Sequence, residues 1–148
     1  MPGLDDVLCH GAAHALVAEG RHVAVLSITV MAGSSTDDWA GQVEATGIGG
    51  MDRAVVALAG PAFDELRAGI AVDDWDADAL KALRALDGDG ARFDEAARTA
   101  ASEVARIRHR IEDLAGILRV HVDEQGTDFL GRSTLDGEEL RRILASAR

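Results

Sequence analysis

The chain has 148 residues, of which 47% are hydrophobic, a proportion typical of a globular domain and not of a disordered segment. Its formal net charge of −11 at pH 7 argues against binding to a nucleic-acid backbone, which attracts basic proteins. The length suffices for one compact domain with a hydrophobic core, so we predict a single domain over residues 1–148.

Cysteine usage and the N-terminal residues bear on the cellular compartment. Cys9 is the single cysteine, so no intrachain disulfide can form, as is usual in a reducing cytoplasm. The opening residues, MPGLDDVL, lack the basic region and apolar core of a signal peptide. No apolar run approaches the roughly 20 residues of a membrane span. We therefore expect a cytoplasmic protein with no membrane segment.

The first third of the chain predicts a helix followed by a β-hairpin. Residues Leu4 to Glu19 carry a broad apolar face, and Gly20 suits a helix C-terminus. The stretch HVAVLSITVMA, from His22 to Ala32, is rich in β-branched residues and predicts a strand. QVEATG, residues 42–47, predicts a short second strand antiparallel to the first. A lone hairpin is not stable, so it is expected to pack on helices.

Helices are predicted for most of the remaining chain. One spans Met51 to Ala68, where Gly60-Pro61 predicts a kink or a break, and another runs from about Asp74 to Leu86. Apolar residues at three- and four-residue steps predict one long helix from about Phe93 to Val120. DEQGTDFLGRS, residues 123–133, is predicted to be a loop, after which Asp136 is predicted to cap a short last helix. The predicted fold class is mainly α-helical with a small β-hairpin or sheet.

The segment CHGAAHALVAEG, residues 9–20, contains the clearest candidate site. His10 and His14 are four residues apart on a predicted helix, so both side chains lie on one face, one turn apart. Zinc-binding helices present two imidazoles in this way, but their H-E-x-x-H pattern places a glutamate directly after the first histidine. That position is Gly11 here. The pattern is therefore either a metal site that lacks its general base or two helix histidines with no role in metal binding.

Several segments in order resemble the peptidase domain of the FtsH-type, ATP-dependent zinc metalloproteases, the M41 peptidases. They are HGAAHALVA, HVAVLSITV, VVALAGPAFDEL, the stretch ARFDEAARTAASEVARIRHRIEDLAGILR and the closing TLDGEEL. The matches run over roughly residues 4–144. No counterpart of the family's ATPase domain or membrane anchor accompanies them, so we expect a free-standing relative of the peptidase domain.

The resemblance implies a zinc ion held by His10, His14 and a downstream aspartate. The family places that aspartate where the third helix begins, followed by an apolar residue, and Asp74, followed by Trp75, fits best. The same stretch, VDDWDADAL, leaves three alternatives for the third ligand: Asp73, Asp76 and Asp78. The resemblance also makes Glu65 the counterpart of an acidic family position, where we expect it to orient structure.

Gly11 separates this chain from active members of the family. Glycine has no atom that accepts a proton, and loss of a general base typically lowers a rate by 10²–10⁴. We therefore expect a degenerate, zinc-metallopeptidase-like protein that is impaired in proteolysis, with no catalytic residue at position 11.

Two other functions remain open at this level. One is a regulatory module that binds a protein or peptide along the hairpin edge without catalysis. The other is an enzyme that uses the same cleft for chemistry on a small molecule, with Trp39 and Trp75 flanking it. Family members assemble as rings, largely through ATPase domains, so the sequence leaves a homo-oligomer open.

Overall fold

A computed structural model describes residues 3–33, 39–46, 49–68 and 75–146, without the side chains of Trp75 and Asp76. Within these residues the protein is mainly α-helical, with six helices and one small antiparallel sheet, as the sequence predicts. The elements in chain order are α1 (Leu4–Gly20), β1 (Ala24–Ala32), β2 (Trp39–Thr46), α2 (Met51–Ala68), α3 (Trp75–Ala85), α4 (Gly90–Arg106), α5 (Arg108–Gln125), β3 (Arg132–Asp136) and α6 (Gly137–Ser146).

Helix α1 lies at the centre of the fold, against α2, α5 and the sheet. Most of its residues are buried, and its four fully buried alanines allow neighbouring elements to approach closely: Ala12, Ala13, Ala15 and Ala18. A helix that is apolar on nearly every side is expected in a protein core. The two histidines of the candidate site therefore lie on the most enclosed helix of the domain.

The sheet has the strand order β2-β1-β3, with both pairs antiparallel. Ile28 at the centre of β1 lies opposite Val43 of β2 and Leu135 of β3, and Ile28 and Leu135 are buried. The predicted hairpin is confirmed, and β2 begins earlier than expected, at Trp39. The prediction of a loop over residues 132–133 was wrong, because these residues begin β3, which pairs with β1.

Two helix predictions need correction. The long helix expected from Phe93 to Val120 is two helices that meet at Ile107. The interruption allows α4 to pack against α2 while α5 packs against α1. Of the kink or break predicted at Gly60-Pro61, the break is not observed, because α2 continues through Pro61. Both residues are buried there, and the packing of α2 against α1 and α4 offsets the cost of the proline.

Arg21, just after α1, joins three helices. Its guanidinium donates to Asp52 of α2 at 2.6 Å and to Glu103 of α4 at 2.5 Å. These bonds place the start of α2 next to the end of α1. They therefore help to fix how α2 lies along α1, the helix that carries His10 and His14. No helix in the described part of the chain is both long and apolar enough to cross a membrane.

Candidate metal centre

Helix α1 brings His10 and His14 to its surface facing α2 and α3. The helix begins after Gly3, whose backbone N–H donates to the Asp6 carboxylate at 3.0 Å, a short-range contact that favours a helix start. The two imidazole rings stand edge to face with their centres 4.7 Å apart. The side chain of His10 is 28% exposed and that of His14 12%, so the pair lies at the bottom of a partly covered site.

The Nδ1 atom of each histidine has an oxygen partner. His10 Nδ1 lies 2.6 Å from the Asp64 carboxylate, and His14 Nδ1 lies 2.7 Å from the backbone carbonyl of Val56. A carbonyl and an ionised carboxylate only accept hydrogen bonds, so each Nδ1 carries the proton and donates it. In the neutral rings both Nε2 atoms are therefore unprotonated, and each presents a lone pair.

These Nε2 atoms converge with a carboxylate from α3. His10 Nε2 and His14 Nε2 are 3.0 Å apart, and Asp78 Oδ2 lies 3.0 Å from the first and 3.4 Å from the second. With both rings neutral, three acceptors would face one another with no donor among them. Such a cluster needs a cation, which is either a proton on one imidazole or a metal ion. His10, His14 and Asp78 are suitably placed to hold a metal ion.

The pKa values of the site reflect this need for positive charge. Burial by itself would lower the pKa of His10, but its hydrogen bonds to Asp64 and Asp78 outweigh that effect and raise the pKa to about 9. For Asp78, burial acts to raise the pKa, and the hydrogen bonds from His10 and His14 instead hold it well below its usual range. Without a metal the site carries a proton near neutral pH, so a metal ion must displace it.

The sequence offers four aspartates as the third ligand of a metal ion, and the structure brings one of them to the histidines. Asp78, three residues into α3, has its carboxylate at the cluster. The preferred candidate, Asp74, lies outside the described residues, as does Asp73. The side chain of Asp76 is also not among the side chains that the structure describes. A His10–His14–Asp74 set therefore stays a prediction, whereas Asp78 is placed by its contacts.

Asp64 is a site residue that sequence reasoning missed. Its neighbour Glu65 was expected to orient the structure, but Glu65 is exposed and Asp64 is the carboxylate that holds the His10 ring. Helical spacing places Asp64 on the same face of α2 as Gly60, but the sequence does not show which face of α2 meets α1. Carboxylates that accept from the second nitrogen of a ligating histidine are usual in metal sites.

Position 11 is buried beside the sheet. A β-carbon at Gly11 would lie 3.5 Å from Val43 Cγ2 and 3.8 Å from Ile28 Cγ2, which are ordinary van der Waals distances. A methyl group therefore fits at this position without displacing the backbone. Glycine there is not required by crowding.

A surface groove of about 680 Å³ lies near the start of α1, away from the histidines. Leu4, Trp39 and Val122 supply apolar lining, and Arg67 and Arg119 supply charge. The two guanidiniums pair with aspartates of α1 and α5. His10, His14 and Asp78 do not line this groove, so it gives no support to a small-molecule site built on the metal cluster.

Comparison with known proteins gives no relative to guide assignment: no family model matches the chain, and neither does any curated protein.

Proposed function

We propose that this protein binds zinc through His10, His14 and Asp78 and is a peptidase-like protein of the M41 type with impaired proteolysis. The observation that carries the proposal is the fixed orientation of both imidazoles. Their Nδ1 atoms are held by oxygen acceptors, which turns both Nε2 atoms toward one carboxylate. The order of segments that resemble the M41 peptidase domain is the reason for naming that family.

The donor set suits zinc in chemistry and in spacing. Zinc prefers imidazole nitrogen and carboxylate oxygen, and tetrahedral bonds of about 2.0–2.1 Å require donors roughly 3.3 Å apart. The three separations here are 3.0, 3.0 and 3.4 Å, so small movements of the side chains suffice. Three protein ligands leave one position open, as in catalytic zinc sites and unlike closed structural ones.

The chain's own residues supply part of what peptide hydrolysis needs. When bound, zinc polarises a carbonyl group and lowers the pKa of a bound water to about 7. Asp64 orients the His10 ring and Val56 the His14 ring. Position 11 provides no carboxylate to take a proton from the water and return it to the leaving amine. The expected state is metal binding with little or no proteolysis.

Metal analysis tests the binding step. We expect protein purified without added zinc to contain about one zinc ion per chain, and a His10→Ala, His14→Ala double variant to contain none. Asp123, an exposed acidic residue outside the cluster, provides a matched control, since Asp123→Asn removes a carboxylate without touching the site. A folded wild-type protein that binds no zinc, even from a metal buffer, would refute the proposal.

Restoring the missing side chain tests the peptidase assignment. We expect Gly11→Glu to cleave an unfolded casein substrate, with activity that a chelator abolishes. Gly11→Ala is the matched control, because the structure accommodates a β-carbon at this position and alanine supplies no base. Zinc binding by Gly11→Glu without any cleavage would count against a peptidase scaffold while leaving the metal site intact.

Peptide binding along the sheet edge is a second candidate function, favoured by the strand order. β2 is an edge strand that pairs with β1, and no other described strand pairs with it. It also packs against α1 at Val43, beside Gly11. An extended peptide that added to this edge would therefore lie next to the site helix.

Amide chemical shifts provide the test of this second function. An added unfolded peptide should shift the amides of β2, and β3 at the opposite edge of the same sheet is the internal control. Equal shifts in both strands, or no shifts, would contradict it.

A further inference from the structure

A glycine occupies the interior of α2 where the helix faces the metal cluster. Gly60 is buried, eight residues before the end of α2, and Pro61 follows it. Glycine and proline are the two residues least favourable in a helix interior. Helix stability therefore does not explain why glycine and proline are adjacent here.

The two imidazoles provide that reason for Gly60. A β-carbon there would lie 2.5 Å from Nε2 of both His10 and His14, and 2.7 Å from Cε1 of His10. Real β-carbons essentially never approach other heavy atoms within 3.0 Å. Even alanine, the smallest replacement, would therefore push on the two atoms that present the lone pairs.

The rings cannot move aside without losing their orientation. Each is held at Nδ1, by Asp64 for His10 and by the Val56 carbonyl for His14, and both holding groups belong to α2 itself. A side chain at position 60 would push the Nε2 atoms away from the same helix that fixes the opposite sides of the rings. The resulting strain would disturb the close approach of the two Nε2 atoms to the Asp78 carboxylate.

We propose that Gly60 is a positioning residue of the metal site, whose missing side chain allows the Nε2 atoms of His10 and His14 to converge on one ion. This inference rests on the proposed zinc site. It assigns two roles to one face of α2: Val56 and Asp64 hold the Nδ1 sides, and Gly60, midway between them, leaves room at the Nε2 side. The backbone at Gly60 also lies close to the two Nε2 atoms, so any further ligand of an ion held there would have to approach from another direction.

Gly60→Ala tests the proposal without removing any donor. We expect zinc affinity to fall at least about a hundredfold, beyond the usual cost of losing one outer-shell partner. The visible spectrum of the cobalt-substituted protein should also change, since it reports ligand geometry independently of activity. Gly116→Ala is the matched control: it is the same substitution in helix α5, where nothing lies within 4 Å of the new β-carbon.

Melting temperatures test the contact between position 60 and the two imidazoles in metal-free protein. Gly60→Ala should lower the melting temperature of the wild type but raise it in a His10→Ala, His14→Ala background, where the space is vacated and the helix preference for alanine prevails. If wild-type protein binds no zinc, the proposed function fails while this comparison still decides the steric inference. Unchanged zinc affinity and cobalt spectrum in Gly60→Ala, or an equal thermal effect in both backgrounds, would overturn the role of Gly60.

Discussion

Removal of the Asp64 carboxylate should weaken metal binding without removing a metal ligand. In Asp64→Ala the Nδ1–H of His10 loses its acceptor at 2.6 Å, in a pair whose side chains are 28% and 14% exposed. Hydrogen bonds to charged groups contribute about 1.5–3 kcal/mol. Each 1.4 kcal/mol is a factor of ten in affinity, so we expect zinc binding to weaken by about 10- to 100-fold.

The pH of the assay decides how much of this loss is visible. Asp64 also helps to raise the pKa of His10 to about 9, so at pH 7 a proton competes with the metal by about two powers of ten. The variant loses the orienting bond, but it also loses part of this competition. The weakening should therefore be larger at pH 9.5, where His10 is mostly neutral in both proteins, than at pH 7.

Zinc titration against a chelating indicator at both pH values measures the effect. Glu65→Ala is the matched control, because Glu65 is adjacent in sequence, acidic and exposed, and it has no contact with the histidines. An equal loss of affinity in Glu65→Ala, or an unchanged affinity of Asp64→Ala at pH 9.5, would refute the assignment of Asp64 as the residue that orients His10.

Three further predictions concern stability. In metal-free protein, His10 has a pKa of about 9 in the folded state against an ordinary value of 6.5. Its contribution to the free energy of unfolding, about 3 kcal/mol, is fully present below pH 6.5 and is lost as the pH rises to 9. Urea denaturation across that range checks this, and a His10→Ala variant with the same slope would contradict it. Arg21→Ala should cost about 1–2 kcal/mol by urea denaturation, because two partly exposed ion pairs are lost; no change would mean that these pairs are not maintained in solution. Leu135→Ala should cost about 2–5 kcal/mol, since that β3 side chain is 3% exposed, and a loss below about 1 kcal/mol would argue against β3 as a core strand.

The sequence predicted the elements whose burial is regular and local. The apolar face of α1 and the β-branched run of β1 were sufficient to place both elements within about two residues of their observed bounds. The interruption at Ile107 could not be predicted in this way. The apolar stripe continues through α4 and α5 because both helices face the core, and neither glycine nor proline marks their junction. β3 was missed because five residues with two buried side chains give too short an alternation.

In the candidate site, too, local sequence patterns predict some residues, and others depend on how distant helices pack together. Helix periodicity alone places His10 and His14 on one face of α1. Selecting a carboxylate partner requires knowing how α2 and α3 pack against that face. The sequence offers Asp78 as one of four aspartates and favours Asp74, and it points to Glu65 rather than to Asp64. The roles of Asp78 and Asp64 follow from tertiary contacts 68 and 54 residues away from His10.

The distance along the chain between the ligands has a consequence for folding. An ion bound to His10 and Asp78 would cross-link positions 68 residues apart and close a large loop between the first and third helices. A disulfide that closes a loop of this size reduces the entropy of the unfolded chain by an equivalent of about 4 kcal/mol. Bound metal would then be part of the free energy of folding, and a chelator would lower the melting temperature. The two histidines would then stabilise the folded chain through the bound metal, and this effect does not depend on a glutamate at position 11.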